Sequence, residues 1–292
     1  MNDLLSSFSA IVGFGGVLKD AVTLLAMCLL RVYAVFLVLP ATTDQSVQGN
    51  VRNGVCLCLA IFIAWGQPAG LVAGIDIPHL LALLGKEAIV GLLLGFAAST
   101  VFWVAEGVGV LIDNQAGYNN VQQTNPLSGE QSTPVGNLLA QLSIAGFYML
   151  GGMIMLTQIL FESFQWWPIG SLSPSWSTIL EDFVRVQTGG YLEMMMKIAA
   201  PALLVLLLID LAFGILSKSA EKLEPNNLAQ PVKGAVALAM LSLLVAVFFE
   251  QVRPALTLQS LARDMERWSK VPVAAPPQAP ASAPADSASA AP

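Results

Sequence analysis

The sequence is poor in charged residues, and this scarcity excludes several classes of protein. Charged residues make up only 11% of the 292 residues, against about 25% in soluble domains. Because hydrophobic residues supply 55%, a water-soluble globule could not cover its surface, and the composition predicts an integral membrane protein. Thirteen Lys and Arg against 19 Asp and Glu give a net charge of −6, which leaves no basic surface for nucleic acid.

Histidine and cysteine are also scarce, which leaves little material for catalytic or metal chemistry. With His79 as the one histidine, no Ser/His/Asp triad can be drawn. The three cysteines lie in apolar stretches and are expected to be free thiols that act as small apolar residues. The pair Gly85-Lys86 lacks the upstream glycine of a phosphate-binding loop. We therefore expect neither an enzyme nor a bound cofactor or metal.

Long apolar stretches, by contrast, are abundant. The fourth is the cleanest candidate span, because no charged residue occurs from Gln131 to Phe161. The third would reach about 50 Å as one helix, so it is expected to tilt, break or leave the bilayer. Its candidate break points are Gly91, Gly95, Gly107 and Gly109. The six stretches run roughly over 21–39, 53–66, 80–112, 137–161, 198–217 and 234–249.

Six charged residues in or directly after these stretches would each cost about 2.5–3.5 kcal/mol if they faced lipid at mid-bilayer. We expect them to face protein or water, as a polar seam or as contacts to other subunits. Glu106 and Asp113 are seven positions apart and can share one helical face. The alternative is that the helix ends near residue 106 and leaves both side chains in water. The six are Arg31, Lys86, Glu87, Glu106, Asp113 and Asp210. The spacing of Gly91 and Gly95 additionally predicts a close approach of two helices.

Two further segments differ in composition from the apolar stretches. Residues 113–136 are polar and rich in Asn, Gln, Gly, Ser and Thr. Loops of this length are often functional, so the segment either lines or occludes a pore or is a solvated connector. From Val271 onward the last 22 residues contain 6 Pro, 9 Ala and 3 Ser. Such a composition cannot bury a core and predicts a disordered extension.

Residues 86–117 resemble the signature of a known family, the type III secretion export-apparatus proteins of the SctT group (YscT, SpaR), with FliR as the flagellar relative. The family pattern has an acidic residue, spaced glycines, a second acidic residue, and then Ile-Asp-x-Gln-x-Gly. The matching positions are Glu87, Gly91, Gly95, Glu106, Ile112, Asp113, Gln115 and Gly117. Downstream, Asn125 replaces the family's usual Asp before Pro126. The segment 221–226 departs from the family pattern, and the resemblance covers about residues 20–255.

The resemblance implies an all-α, multi-pass protein of the bacterial inner membrane, with helical hairpins that pack into a hetero-oligomeric export gate. Residues 1–185 would resemble the R-type subunit and residues 186–255 the hairpin of the S-type subunit. Residues 256–292 would be a basic, then Pro/Ala-rich tail. The implied partners are the R-, S- and U-type membrane subunits of the apparatus, the lipid bilayer, and secreted effector proteins in transit.

By the same resemblance, the chain would form part of a gated pore through which unfolded effector proteins pass. The residues implied in a plug or gating loop are Asn114, Gln115, Gly117, Asn125, Pro126 and Gly129. Pro231 and Lys233 would lie at the tip of the C-terminal hairpin. The alternative hypothesis is a small-solute or ion transporter that uses Arg31, Glu87 and Glu106 as intramembrane sites.

Overall fold

The chain folds into long helices, as a computed structural model shows, and the expected all-α class is confirmed. The structure describes residues 2–44, 46–68, 70–118, 123–124, 131–172, 176–219 and 225–269. One short antiparallel pair joins β1 to β2, with Gln123 opposite Ser132. The elements are α1 (Asn2–Val38), a 3-10 turn (Pro40–Thr42), α2 (Gly49–Trp65), α3 (Ile77–Ala116), β1 (Gln123–Thr124), β2 (Gln131–Ser132), α4 (Pro134–Met149), α5 (Gly152–Trp166), α6 (Trp176–Ser219), α7 (Pro225–Leu256) and α8 (Gln259–Ser269).

Helix α3 is the central element, and it packs against α1, α4, α6 and α7. It runs for 40 residues without a break and ends at Gly117, which has a φ of 87°. Of the three alternatives for this segment, a break is therefore excluded: Gly91, Gly95, Gly107 and Gly109 all lie within the continuous helix. Their lack of a side chain instead lets neighbouring helices approach α3 closely.

Two of the helices that flank α3 run parallel to it. Contacts from Arg31 to Glu87 and from Ser99 to Val38 show that α1 runs parallel to α3. Helix α2 returns along α1. Helix α6 also runs parallel to α3, since its residues contact α3 in increasing order, from Gln187 at Thr100 onward. The core lies along α3, whose inward-facing residues are almost fully buried.

The fourth apolar stretch is not one straight span. Helices α4 and α5 meet at an angle of 70°, and Gly151 between them has a φ of 79°. A left-handed residue ends one helix and redirects the chain. The start of α4 bonds to Asp113 and the turn that follows α5 bonds to Lys86. These positions are about 40 Å apart along α3, so the pair runs the length of α3 as a broken span.

Among the residues that the structure describes, three helices are long and apolar enough to cross a membrane, and the number rises to five if each bent pair counts as one span. The three are Gly13–Val38, Ile77–Ala116 and Phe183–Lys218. Helix α2 is a shorter apolar helix of 17 residues. The composition therefore agrees with the architecture: the chain is a membrane protein with several apolar helices.

Candidate functional site

A buried charged cluster joins α1 to the N-terminal part of α3. Arg31 donates from Nε to Glu87 Oε2 over 2.5 Å, and Lys86 Nζ lies 2.8 Å from Glu87 Oε1. The side chains of Arg31 and Glu87 are completely buried, and that of Lys86 is 2% exposed. One carboxylate between two cations leaves one positive charge to be stabilised by other groups.

The end of α5 supplies those groups. Arg31 donates to the carbonyls of Ser163 and Trp167, each at 2.9 Å. Lys86 Nζ donates to the carbonyls of Pro168, at 2.7 Å, and Ser171, at 2.9 Å. The last carbonyls of a helix have no partner within the helix and must be satisfied elsewhere when they are buried. Arg31 therefore caps the end of α5 and fixes it against α1, while Lys86 fixes the turn that follows α5 against α3.

Two glycines of α3 lie directly against α1 beside this cluster. A Cβ on Gly91 would come within 2.5 Å of the Arg31 carbonyl oxygen and 2.7 Å of Ala34 Cβ. A Cβ on Gly95 would lie 3.0 Å from Val35. The helices can approach this closely only because both positions lack a side chain.

At the other end of α3, Asp113 holds the returning chain. Its Oδ2 accepts a hydrogen bond of 2.8 Å from the backbone N–H of Val135, in the first turn of α4. Asp113 is 1% exposed, and a carboxylate at a helix N-terminus is stabilised by the helix dipole. Thr133 caps the same helix by accepting from the Gly136 N–H. Both ends of the polar segment that follows α3 are thus anchored on α3.

A second polar contact joins α3 to the C-terminal helices. Gln115 donates from Nε2 to Asp210 Oδ2 over 2.9 Å, and Lys233 forms an ion pair with Asp210 Oδ1. One carboxylate therefore joins α3, α6 and α7. Gln230, one turn before Lys233, donates to the Gly117 carbonyl over 3.1 Å.

The charges predicted for the polar seam thus find partners inside the chain. Arg31, Glu87, Asp113 and Asp210 all bond to other helices of the same molecule. The sequence allowed these charges to pair either within the chain or with other subunits. At these four positions the partner lies within the chain. Glu106 is half-buried on α3, and its carbonyl oxygen faces Gly136 of α4.

The structure places some of the residues implied in gating and in the hairpin tip on helices. Asn114 and Gln115 belong to the last turn of α3 rather than to a loop, and Gly117 ends that helix. Pro231 and Lys233 lie inside α7, so they are not at a hairpin tip. Asn125, Pro126 and Gly129 lie outside the described residues.

Sequence reasoning missed three contributors to these sites. Lys86 was recognised as a charge, but its bonds to the carbonyls of Pro168 and Ser171 depend on a distant segment that follows α5. Ser163 and Gln230 carried no signal, since polar residues at helix ends are common. Among the described residues, no group of three His, Cys, Asp or Glu side chains could hold a metal ion.

Comparison with known proteins identifies the family. The sequence profile of a family described as bacterial export proteins, family 1, matches residues 22–258. The chain belongs to this family. This export-protein family includes the SctT group and its FliR relatives, so the resemblance carried by residues 86–117 is confirmed.

The alignment with each named relative covers most of this chain and most of the relative. The Yop proteins translocation protein T of Yersinia pestis is 34% identical over 223 residues, which is 76% of this chain and 84% of the relative. The surface presentation of antigens protein SpaR of Salmonella typhimurium is 26% identical over 241 residues, covering 82% and 88%. The flagellar biosynthetic protein FliR of Bacillus subtilis is 27% identical over 227 residues, covering 77% and 86%.

Proposed function

We propose that this export-family protein is a non-enzymatic component of a type III secretion export gate in the bacterial inner membrane. The observation that carries the proposal is the match over residues 22–258, together with relatives named for translocation and secretion. The apolar helices support a membrane location. We assign the chain to the injectisome branch rather than the flagellar one because its "GEQSTPVG" run resembles that branch.

The polar segment 114–134 is the part of the chain that we assign to the gate. It leaves α3 at Gly117 and returns at Thr133, and Asp113 bonds to the returning helix. Both ends of the segment are therefore positioned by one rigid element, as a gate requires. We propose that unfolded effector proteins pass beside this segment.

We propose the R-, S- and U-type membrane subunits of the apparatus as partners. Helix α6 supports this, because it carries a row of large apolar residues more than half exposed. They include Leu204, Leu207, Leu208, Leu211 and Ile215. Such a surface must be covered by lipid or by other membrane subunits. The split at residue 185 into R-like and S-like parts remains a proposal on the same basis.

The buried cluster of Arg31, Lys86 and Glu87 argues against the alternative hypothesis of a small-solute or ion transporter. That hypothesis requires Arg31 and Glu87 to face a substrate path. Both side chains are fully buried and bonded to each other, and Arg31 is also bonded to the end of α5. A substrate could reach them only after these contacts break.

Deletion of residues 119–130 tests the gate. In cells that carry the whole apparatus, we expect assembly to persist while secretion falls or the membrane becomes leaky to ions. Replacement of the same residues by an equally long Gly/Ser segment separates length from sequence. Unchanged secretion and unchanged leakiness in an assembled complex would show that the segment is only a connector.

A further inference from the structure

Asp210 lies in an apolar part of α6, and its position requires an explanation. The neighbouring Leu207, Leu208 and Leu211 are each more than half exposed, so the surface around the carboxylate is apolar. An unpaired carboxylate is unfavourable in such surroundings. Here each oxygen has its own partner on a different helix, Lys233 on α7 and Gln115 on α3.

The residues of α7 that meet α3 share one face. Gln230, Lys233 and Gly234 are spaced by three and four positions, which places them side by side on a helix. Gln230 bonds to the Gly117 carbonyl. Gly234 lies against the ring hydroxyl of Tyr118, and a Cβ there would overlap it. This face therefore covers the point where the chain leaves α3.

We propose that Gln115, Asp210, Gln230 and Lys233 form a latch that holds the α6–α7 pair on the end of α3. The latch would fix the position from which the polar segment leaves the bundle. This proposal rests on the proposed function, because the position matters only if that segment takes part in export. Asp210 and Lys233 act as positioning residues, and no contact with cargo is assigned to them.

The contacts are suited to a reversible latch rather than to a permanent core. Asp210 and Lys233 keep 35% and 16% of their side chains exposed, while Arg31 and Glu87 are fully buried. All latch contacts are polar and lie at the end of α3, so they can open without disturbing the packed core. Loss of one charge therefore loosens the α6–α7 pair without removing core packing.

Amide hydrogen exchange on the full complex, purified from membranes, tests the latch. The amides of Gly117 and Tyr118 bond to Asn114 and Asp113 within the last turn of α3. We expect Asp210→Asn and Lys233→Met each to raise exchange at these amides by about tenfold, because local opening controls exchange. The reversed pair Asp210→Lys with Lys233→Asp should restore slow exchange, since the Gln115 amide can donate or accept.

A matched ion pair on α6 provides the control. Glu193 and Lys197 lie 2.6 Å apart and are largely exposed, so Glu193→Gln with Lys197→Met should leave exchange at Gly117 and Tyr118 unchanged. If a charge variant yields no complex, Gln115→Leu removes one contact without leaving a bare charge, and it should also speed exchange. Unchanged exchange in the latch variants, or failure of the reversed pair to restore it, would overturn the latch.

Exchange also separates the latch from the proposed function. It is measured on the purified complex and does not depend on secretion. If exchange responds as expected but deletion of residues 119–130 leaves secretion and leakiness unchanged, the latch stands and the gate assignment fails. If secretion depends on residues 119–130 but exchange does not respond to Asp210→Asn and Lys233→Met, the latch alone is wrong.

Discussion

Arg31 and Glu87 form a completely buried ion pair between α1 and α3, 56 positions apart in the sequence. Breaking a buried pair by removing one partner typically destabilises a protein by about 3–5 kcal/mol, because the other charge stays buried. We expect Arg31→Met to cause a loss of this size. The measurement is the thermal unfolding midpoint of the purified complex, with the amount of chain in membranes as a second readout.

The exposed pair of Asp44 with Arg52 is the control for that variant. Asp44 is 73% exposed, so Asp44→Asn should change stability by about 0–1 kcal/mol. Equal effects of Arg31→Met and Asp44→Asn would contradict the structural role of the buried cluster.

Gly91 allows α1 and α3 to touch, so a methyl group there should separate them. A Cβ would lie 2.5 Å from the Arg31 carbonyl oxygen, and overpacking of this kind costs about 1–3 kcal/mol. The same change at Gly85 meets nothing within 4 Å on the same helix. There, alanine should be neutral or stabilise the helix by up to about 1 kcal/mol. The measurement is the thermal unfolding midpoint of both variants. An unchanged midpoint for Gly91→Ala would refute the close contact between α1 and α3.

Asp113 should matter because it bonds to the first turn of α4. Asp113→Ala leaves the Val135 N–H without this acceptor, at a cost of about 1–3 kcal/mol for a buried group. We expect weaker assembly or lower secretion, and the same direction of effect for Glu106→Ala. Asp113→Asn keeps an acceptor and should lose less than Asp113→Ala. Normal complex and normal secretion in both alanine variants would count against the role of these carboxylates.

Gly151 sets the bend between α4 and α5 through its φ of 79°. An L-residue in the left-handed region costs about 1–2 kcal/mol, so Gly151→Ala should lower the unfolding midpoint. Gly214→Ala is the matched change within α6, where nothing lies within 4 Å and the backbone is helical. Equal unfolding midpoints for Gly151→Ala and Gly214→Ala would contradict the role of Gly151 in the bend.

The C-terminal tail should be dispensable. Residues 271–292 are almost entirely Pro, Ala and Ser and cannot form a packed core. Truncation after Lys270 should therefore leave export intact, as measured by effector secretion into the medium. A loss of secretion with normal chain levels would show that the tail has a function.

The family and the helical class could be predicted from the sequence, because they depend on local features. The scarcity of charge and the run of residues 86–117 need no knowledge of the fold. Contacts between distant segments could not be predicted in this way. The sequence shows that Arg31 needs a partner, but only the packing of α1 on α3 selects Glu87, and only the course of α5 brings the Ser163 and Trp167 carbonyls to it.

Two differences between prediction and structure have a common physical origin. A break at a glycine was one of the alternatives for α3, yet the helix is continuous and uses Gly91 and Gly95 for contact with α1. The cleanest apolar stretch was expected to be one span, yet Gly151 takes a left-handed conformation and bends it. Sequence alone does not determine which glycine remains helical, because packing against neighbours decides it.

The most direct test of the account is purification of the tagged chain from solubilised bacterial membranes, with the mass and composition of the complex measured. The account predicts a large hetero-oligomer that contains several small membrane subunits of a secretion apparatus. A stable monomer or homo-oligomer that carries out solute flux would contradict it.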